Sequence, residues 1–222
     1  MTSRHNIPSI LPQSAFPDLR LASVDVTQGR HLPRWEATGA IYHISLHLAD
    51  SVPTDQRQAW LEERARLKAL AEQEKRPLTA DEIASLRAVY DERIERYLSS
   101  GYGECLLRSS AVAEVLASVI VYGNGTAYAL HAWTIMPNHL HVLVGGFSSE
   151  RPMSEILEIW KRTSAHRINA VCDRKGRVWH QDAYTRIIRD EAEYRRQLSY
   201  VWHNPEAAGL QSGFLRKRYV TW

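Results

Sequence analysis

The chain has 222 residues, of which 44% are hydrophobic, enough for one domain with an embellishment and for a sizeable core. No run of about 18 apolar residues occurs, and Pro8 and Pro12 interrupt the amino terminus, which argues against a membrane span and a signal peptide and predicts a soluble, unexported protein. The formal charge of +3 is uneven: from Arg151 to Trp222, 14 Lys and Arg stand against 8 Asp and Glu, so this third carries +6 and the first 150 residues −3. A field of that sign attracts phosphates.

Residues 1–34 hold Pro8, Pro12, Pro17 and Pro33 without clear periodicity and read as an arm that docks or stays mobile. "ATGAIYHISLHLAD" reads as a first strand, with Ile41, His43, Ser45 and His47 on one face. Tyr42, Ile44, Leu46 and Leu48 on the other face belong to a core. Residues 54–98 turn helical and charged. Thr54 can cap a helix running to about Lys75, Pro77 breaks it, and "TADE" (Thr79 to Glu82) is a capping box for a second helix to about Leu98. This hairpin reads as an inserted structural or partner-contacting element, or as an arm touching nucleic acid. "SSAVAEVLASVIVYG" is a further helix and Gly123 to Gly125 a turn. "TAYALHAWTIM" and "HLHVLVGGF" are strands joined through Pro137 and Asn138, hence antiparallel neighbours.

"MSEILEIWKRTSAHRINAVC" is an amphipathic helix. "GRVWHQDAYTRIIR" is a last strand or pair of strands, and "DEAEYRRQLSYVWHNP" a helix capped by Asp190, with Glu193 completing a box-like start and Pro205 ending it. The order predicts an α+β fold, a split βαβ, ferredoxin-like sandwich with an antiparallel sheet. Cys105 and Cys172 lie far apart without metal-ligand spacing, as free thiols of a reducing cytosol would.

In "WTIMPNHLHVLV", His139 and His141 share one face of a strand while Leu140, Val142 and Val144 share the other. Such a pair alone fits hydrogen-bonded or surface histidines as well as ligands, and a lone His131 or His166 fits a satisfied one. In the last helix, Tyr200 and Asn204 stand about 40° apart on a wheel of about 100° per residue. They lie at the edge of the apolar stripe of Tyr194, Leu198 and Val201, where a side chain lines a pocket against a sheet.

"WTIMPNHLHVLV", followed by "YVWHNPEAAGL", resembles the single-tyrosine HUH transposases, and specifically the REP-associated tyrosine transposases. The similarity spans about Arg34 to Leu210, with "HLPRWEATGAIYHISLHLADS" resembling the family's opening strand. It implies a 35–210 domain of that type carrying the 54–98 insertion, between the arm and a basic 211–222 tail. It further implies that His139 and His141 bind a divalent metal, that Asn204 is the third ligand through its amide oxygen, and that Tyr200 is the nucleophile. A nitrogen and oxygen ligand set suits Mg²⁺ or Mn²⁺, with Zn²⁺ also compatible. The implied reaction cleaves and rejoins single-stranded or hairpin DNA, such as repeated extragenic palindromes, through a 5′-phosphotyrosine with a free 3′-hydroxyl. The implied protein is cytoplasmic, associated with the nucleoid, makes no membrane contact and acts as a monomer, as the REP-associated group does, rather than as the homodimer of the wider single-tyrosine class, whose members exchange the tyrosine helix.

The chemistry suits the residue types. A phenol forms an ester from which a 3′-hydroxyl can be religated. With an ordinary pKa of about 10 it needs a metal or base beside it. Tyr184 is a rival nucleophile, Ala183 stands where relatives often carry an aromatic residue, His203 sits about 100° away from Asn204, and His43, His47 and His180 are unassigned. Lys161, Arg162 and Arg167 on one helix, and Arg216, Lys217 and Arg218 between Phe214 and Tyr219, are candidates for DNA phosphate contact or solvated cations. Two other readings compete: a domesticated hairpin-binding protein with little cleavage, and a metallohydrolase that uses water at a His/His/Asn site.

Overall fold

Alternating side chains give each central strand two chemically different faces, and those faces decide the layering. The structure, a computed structural model, describes residues 16, 25–28, 33–76, 79, 94–148 and 150–220. In chain order they form β1 (Asp25–Gln28), β2 (Pro33–Glu36), β3 (Tyr42–His47), α1 (Thr54–Gln73) and a helical segment α2 (residues 94–99). A 3-10 turn (Leu106–Arg108), α3 (Ser110–Tyr122), β4 (Ala129–Ile135), β5 (His139–Gly145) and α4 (Met153–Val171) follow. The chain then continues through β6 (Tyr184–Ile187), α5 (Glu191–Ala207) and β7 (Leu215–Arg218).

β1 and β2 pair as an antiparallel hairpin, and the other strands make one antiparallel sheet ordered β6-β3-β5-β4-β7. Within it, β3-α3-β4-β5-α4-β6 with β3 and β5 central is the split βαβ, ferredoxin-like arrangement expected of the α+β class. No strand was expected in the 1–34 arm, because four-residue strands such as "DVTQ" and "PRWE" are too short to display a period of two. Phe16 of that arm is buried edge-on against Tyr194, ring centroids 6.2 Å apart, so this residue docks on α5.

One face of the sheet presents Tyr42, Ile44, Leu46, Leu140, Val142 and Val144 to α3 and α4, where Leu116, Ile120, Leu157 and Trp160 complete the main core. Burying one such large side chain contributes about 1.5–3 kcal/mol. Polar atoms inside are paired: Trp160 Nε1 donates to Tyr128 Oη (3.0 Å), and Trp179 Nε1 donates to Ser164 Oγ (2.8 Å).

The opposite face carries Ile41, Ala132 and Leu143, covered by Tyr194, Leu198 and Val201 of α5. This is the stripe expected from the wheel. Asp190 caps α5, its Oδ1 accepting from Glu193 N–H at 2.7 Å, while the Glu193 carboxylate accepts from Arg186 and from Arg189 N–H. A register shift in β4 between Leu130 and Ala132 accompanies His131 bonding the Tyr194 hydroxyl (2.7 Å), so His131 is a satisfied core histidine.

Pro205 does not end α5, contrary to the expectation; the helix runs through it to Ala207. A proline withholds the N–H that would bond the carbonyl four residues back, here that of Val201. Thr134 Oγ1 of β4 donates to that carbonyl at 2.5 Å instead, so the sheet supplies the bond that the helix lacks.

α1 ends at Gln73, close to the expected Lys75, and begins with Arg57 N–H donating to Pro53 O. Of the expected second helix, the capping box beyond Thr79 and the body through residue 93 lie outside the described residues; α2 is its end. Ile94 and Leu98 of α2 pack on Val52. Where a basic tail was expected, residues 215–218 form edge strand β7, with cations at successive positions that discourage another strand from adding there. Cys105 and Cys172 are free, and no described helix is long and apolar enough to cross a membrane.

Candidate metal and nucleophile site

On the α5 face the apolar layer gives way, toward one end of β3 and β5, to His43, Ser45, His47, His139 and His141, all buried. Direct cross-strand pairing sets Ser45 opposite His141 and His47 opposite His139. Burying five polar side chains on one patch is costly unless each atom finds a partner. Several do not. Among the described residues, His139 Nε2, His141 Nε2, Ser45 Oγ, His47 Nε2 and Asn204 Oδ1 are buried without a hydrogen bond.

The remaining ring nitrogens are held. Gly103, at φ +97°, lets the chain pass so close to Asp50 that a Cβ there would lie 2.8 Å from the Asp50 carbonyl oxygen, and Asp50 Oδ2 accepts from Glu104 N–H at 2.7 Å. The adjoining Tyr102 carbonyl accepts from Asn138 Nδ2 (3.0 Å), which turns Asn138 Oδ1 toward His139 Nδ1 at 2.7 Å. An amide oxygen only accepts, so His139 carries its proton on Nδ1 and a bare lone pair on Nε2. His141 Nδ1 lies 3.1 Å from His43 Nε2. When His141 Nδ1 donates there, its Nε2 is likewise bare. Burial, the largest cause, holds His139 and His43 well below the ordinary histidine range and lowers His141 to about 3, so all three are neutral.

α5 brings Tyr200 and Asn204 to this patch. Asn204 is buried, and its side chain lies close enough to His139, to Tyr200 and to Glu95 of α2 to influence the protonation of each. The Tyr200 ring stands 5.2 Å from His141 and 5.5 Å from His43, edge to face, with 37% of the residue exposed and thus accessible to substrate. Its hydroxyl donates to Glu95 Oε1 at 2.5 Å. Burial first and the Glu95 charge second push the Tyr200 phenol well above its ordinary pKa, and burial raises that of Glu95.

Glu95 is the residue that sequence reasoning missed. Its Oε1 lies 3.8 Å from His141 Nε2, and ligand atoms of Glu95, His139 and His141 all lie within 4.8 Å of one another, a candidate metal-binding cluster. The donor set fits a divalent cation: two neutral imidazoles with unpaired nitrogens, an unpaired amide oxygen and a carboxylate. The set that the resemblance implies, His139, His141 and Asn204, is neutral. The carboxylate subtracts one charge from it. Nothing in the sequence of residues 54–98 distinguishes Glu95 from the other acids of a charged hairpin; only the docking of α2 does.

The other candidates separate. Tyr184 of β6 sits 6.1 Å from the His43 ring, near the site. His47 stacks on His180 at 4.4 Å, beside the pair rather than in it, and His203 is exposed, bonded to Ser199 of its own helix. α4 packs across the sheet from Tyr200, so exposed Arg162 and Arg167 lie on the opposite layer, and Lys161 donates to Gln181 O at 2.6 Å. Arg216 and Arg218 lie over the Trp202 ring of α5 (4.2 and 5.1 Å), Arg216 also pairing with Glu206 at 2.8 Å; Lys217 lies over Tyr219.

No protein-family model matches the chain, and no curated protein does. Among solved structures, the chain is similar to one described as a REP-associated tyrosine transposase bound to a REP hairpin, with 12% identity over 79% of this chain and 72% of that one, at a TM-score of 0.43.

Proposed function

We propose that the chain is a single-stranded DNA endonuclease and transesterase of the REP-associated tyrosine type, cleaving and rejoining palindromic hairpin DNA as a monomer in the cytoplasm, at the nucleoid. One observation carries this reading. A phenol with an accessible ring stands edge to face against His141, one of two buried imidazoles whose Nε2 atoms, together with an amide oxygen on the phenol's own helix, have no hydrogen-bond partner among the described residues.

Tyr200 Oη attacks the phosphorus of a phosphodiester. An Oη–P bond forms as the phenolic proton passes to the Glu95 carboxylate, and the P–O3′ bond breaks as O3′ takes up a proton, leaving a 5′-phosphotyrosine and a 3′-hydroxyl; attack by a 3′-hydroxyl reverses the step. His139, His141 and Asn204, with Glu95 as a further oxygen donor, would hold Mg²⁺ or Mn²⁺, which when bound polarises the phosphate and steadies the leaving oxygen. Asn138 orients the His139 lone pair, and His43 that of His141. Glu95 holds the proton at Tyr200 Oη and keeps the phenol neutral until substrate arrives. Because α5 carries both Tyr200 and Asn204, its docking against β5 and β4 sets the angle of attack.

A second reading, a hairpin-binding protein that cuts little, draws support from Glu95, whose carboxylate stands where an anionic phosphate must approach. The discriminating experiment incubates the protein with end-labelled single-stranded palindromic DNA and Mn²⁺ and looks for a denaturant-resistant adduct. The first reading expects an adduct that Tyr200→Phe abolishes and Tyr184→Phe leaves. Retention without an adduct favours the second. Cleavage unchanged in Tyr200→Phe refutes both, and indicates attack by water where no adduct forms and by Tyr184 where one does.

A further inference from the structure

Tyr200, His141 and Glu95 themselves line a cavity of about 500 Å³, within the range of about 300–1,000 Å³ usual for small-molecule sites. Part of its lining is polar and incompletely bonded. Ser51 Oγ donates to Leu48 O at 2.8 Å and lies 2.7 Å from His47 Nδ1. The hydroxyl proton is therefore committed elsewhere, Ser51 Oγ accepts from His47 Nδ1–H, and His47 Nε2 is left as a bare acceptor. That atom and Ser45 Oγ are buried, without a hydrogen-bond partner among the described residues, on residues that line the cavity. Other lining residues differ in chemistry: Ile94 is apolar, Tyr184 aromatic, and Arg186 and Arg196 cationic. Arg186 is held by Glu193 at 2.6 Å, whereas Arg196 is exposed.

A ligand that satisfies all of this has an N–H donor at one end, a flat body and an anionic group at the other. We infer that this cavity takes one unstacked nucleotide of the single strand, next to the phosphate that Tyr200 attacks, its base against Tyr184 and Ile94 with an amino or imino N–H donating to His47 Nε2 and its phosphate toward Arg196. The inference rests on the DNA-cleaving reading and adds to it a place for a base. Reading an extruded base by its edge and by stacking is an economical use of such a pocket, because the target must already be single-stranded.

The test is a titration of the full chain, without divalent metal at pH 7.5, with each of dAMP, dCMP, dGMP and dTMP, following histidine ring ¹⁵N resonances. The expected result is a saturable shift of His47 Nε2 with at least one nucleotide, no shift with deoxyribose 5-phosphate, and loss of the response in Ser45→Leu, which fills the cavity. Ser45→Ala, which keeps the space and loses only the hydroxyl, is expected to weaken the response several-fold without abolishing it, and guards against a misfolded Leu variant. No His47 response to any nucleotide, or an equal response to deoxyribose 5-phosphate, overturns the inference. The adduct assay is independent: an adduct without a His47 response removes the nucleotide pocket and leaves the transesterase, and a His47 response without an adduct does the reverse.

Discussion

Thr134→Val is the sharpest test of how α5 is held. The substitution keeps the side chain's size and removes the hydroxyl that donates to Val201 O at 2.5 Å, in a residue with no exposed surface. Pro205 supplies no N–H to that carbonyl, so Thr134→Val leaves a buried acceptor unpaired, at a cost of about 1–3 kcal/mol. For a chain of this size each kcal/mol moves Tm by about 2–4 °C, so a fall of about 2–12 °C is expected. Pro205→Ala restores an N–H that can bond Val201 O within the helix. In that background Thr134→Val is expected to cost less, with a coupling of about 0.5–3 kcal/mol between the two sites. The cycle cancels whatever Pro205→Ala does to the unfolded chain. Denaturant melts of the four proteins measure it, and Thr134→Ser, which keeps the hydroxyl, is the control. Because Val201 lies between Tyr200 and Asn204, adduct yield is expected to fall with Thr134→Val and to recover partly in the double variant. An identical cost of Thr134→Val in both backgrounds refutes the idea that the sheet supplies the helix's missing bond.

Asn138→Leu, which frees His139 to take the other tautomer, is expected to weaken Mn²⁺ binding about 10–100-fold; calorimetric affinity equal to that of the unaltered chain shows that Asn138 does not set the lone pair. Mn²⁺ at about 100 times its Kd is expected to stabilise the fold by about 2.7 kcal/mol, and a Tm rise that survives in His139→Ala/His141→Ala places the ion elsewhere. Stability is expected to fall as pH drops below about 6.5. His43, His47, His131, His139, His141 and His180 are all held below their ordinary pKa, chiefly by burial. The unfolded chain therefore binds protons that the folded one refuses, and each group removes up to about 1.4 kcal/mol per pH unit until its folded pKa is reached. A metal-free Tm that is flat between pH 7.5 and 5.5 contradicts this.

The strand alternation of "YHISLH" and "HLHVLVG" was enough to place Tyr42, Ile44, Leu140 and Val142 in one layer and the histidines in the other, because a period of two leaves no freedom once one face is apolar. The i, i+4 spacing of Tyr200 and Asn204 likewise put both side chains on one edge of a helix before any packing was known. Three features depended on contacts between segments far apart in the chain. Pro205 reads as a stop because its lost bond is local, and only the approach of Thr134, 71 positions earlier, makes it tolerable. Residues 215–218 read as a tail because "LRKR" has no apolar period, and pairing with β4 makes them a strand. Glu95 reads as one acid among many until α2 sets it against Tyr200 and His141. Local pattern fixes which way a side chain points, but what it meets there depends on long-range docking, which a linear spacing does not encode.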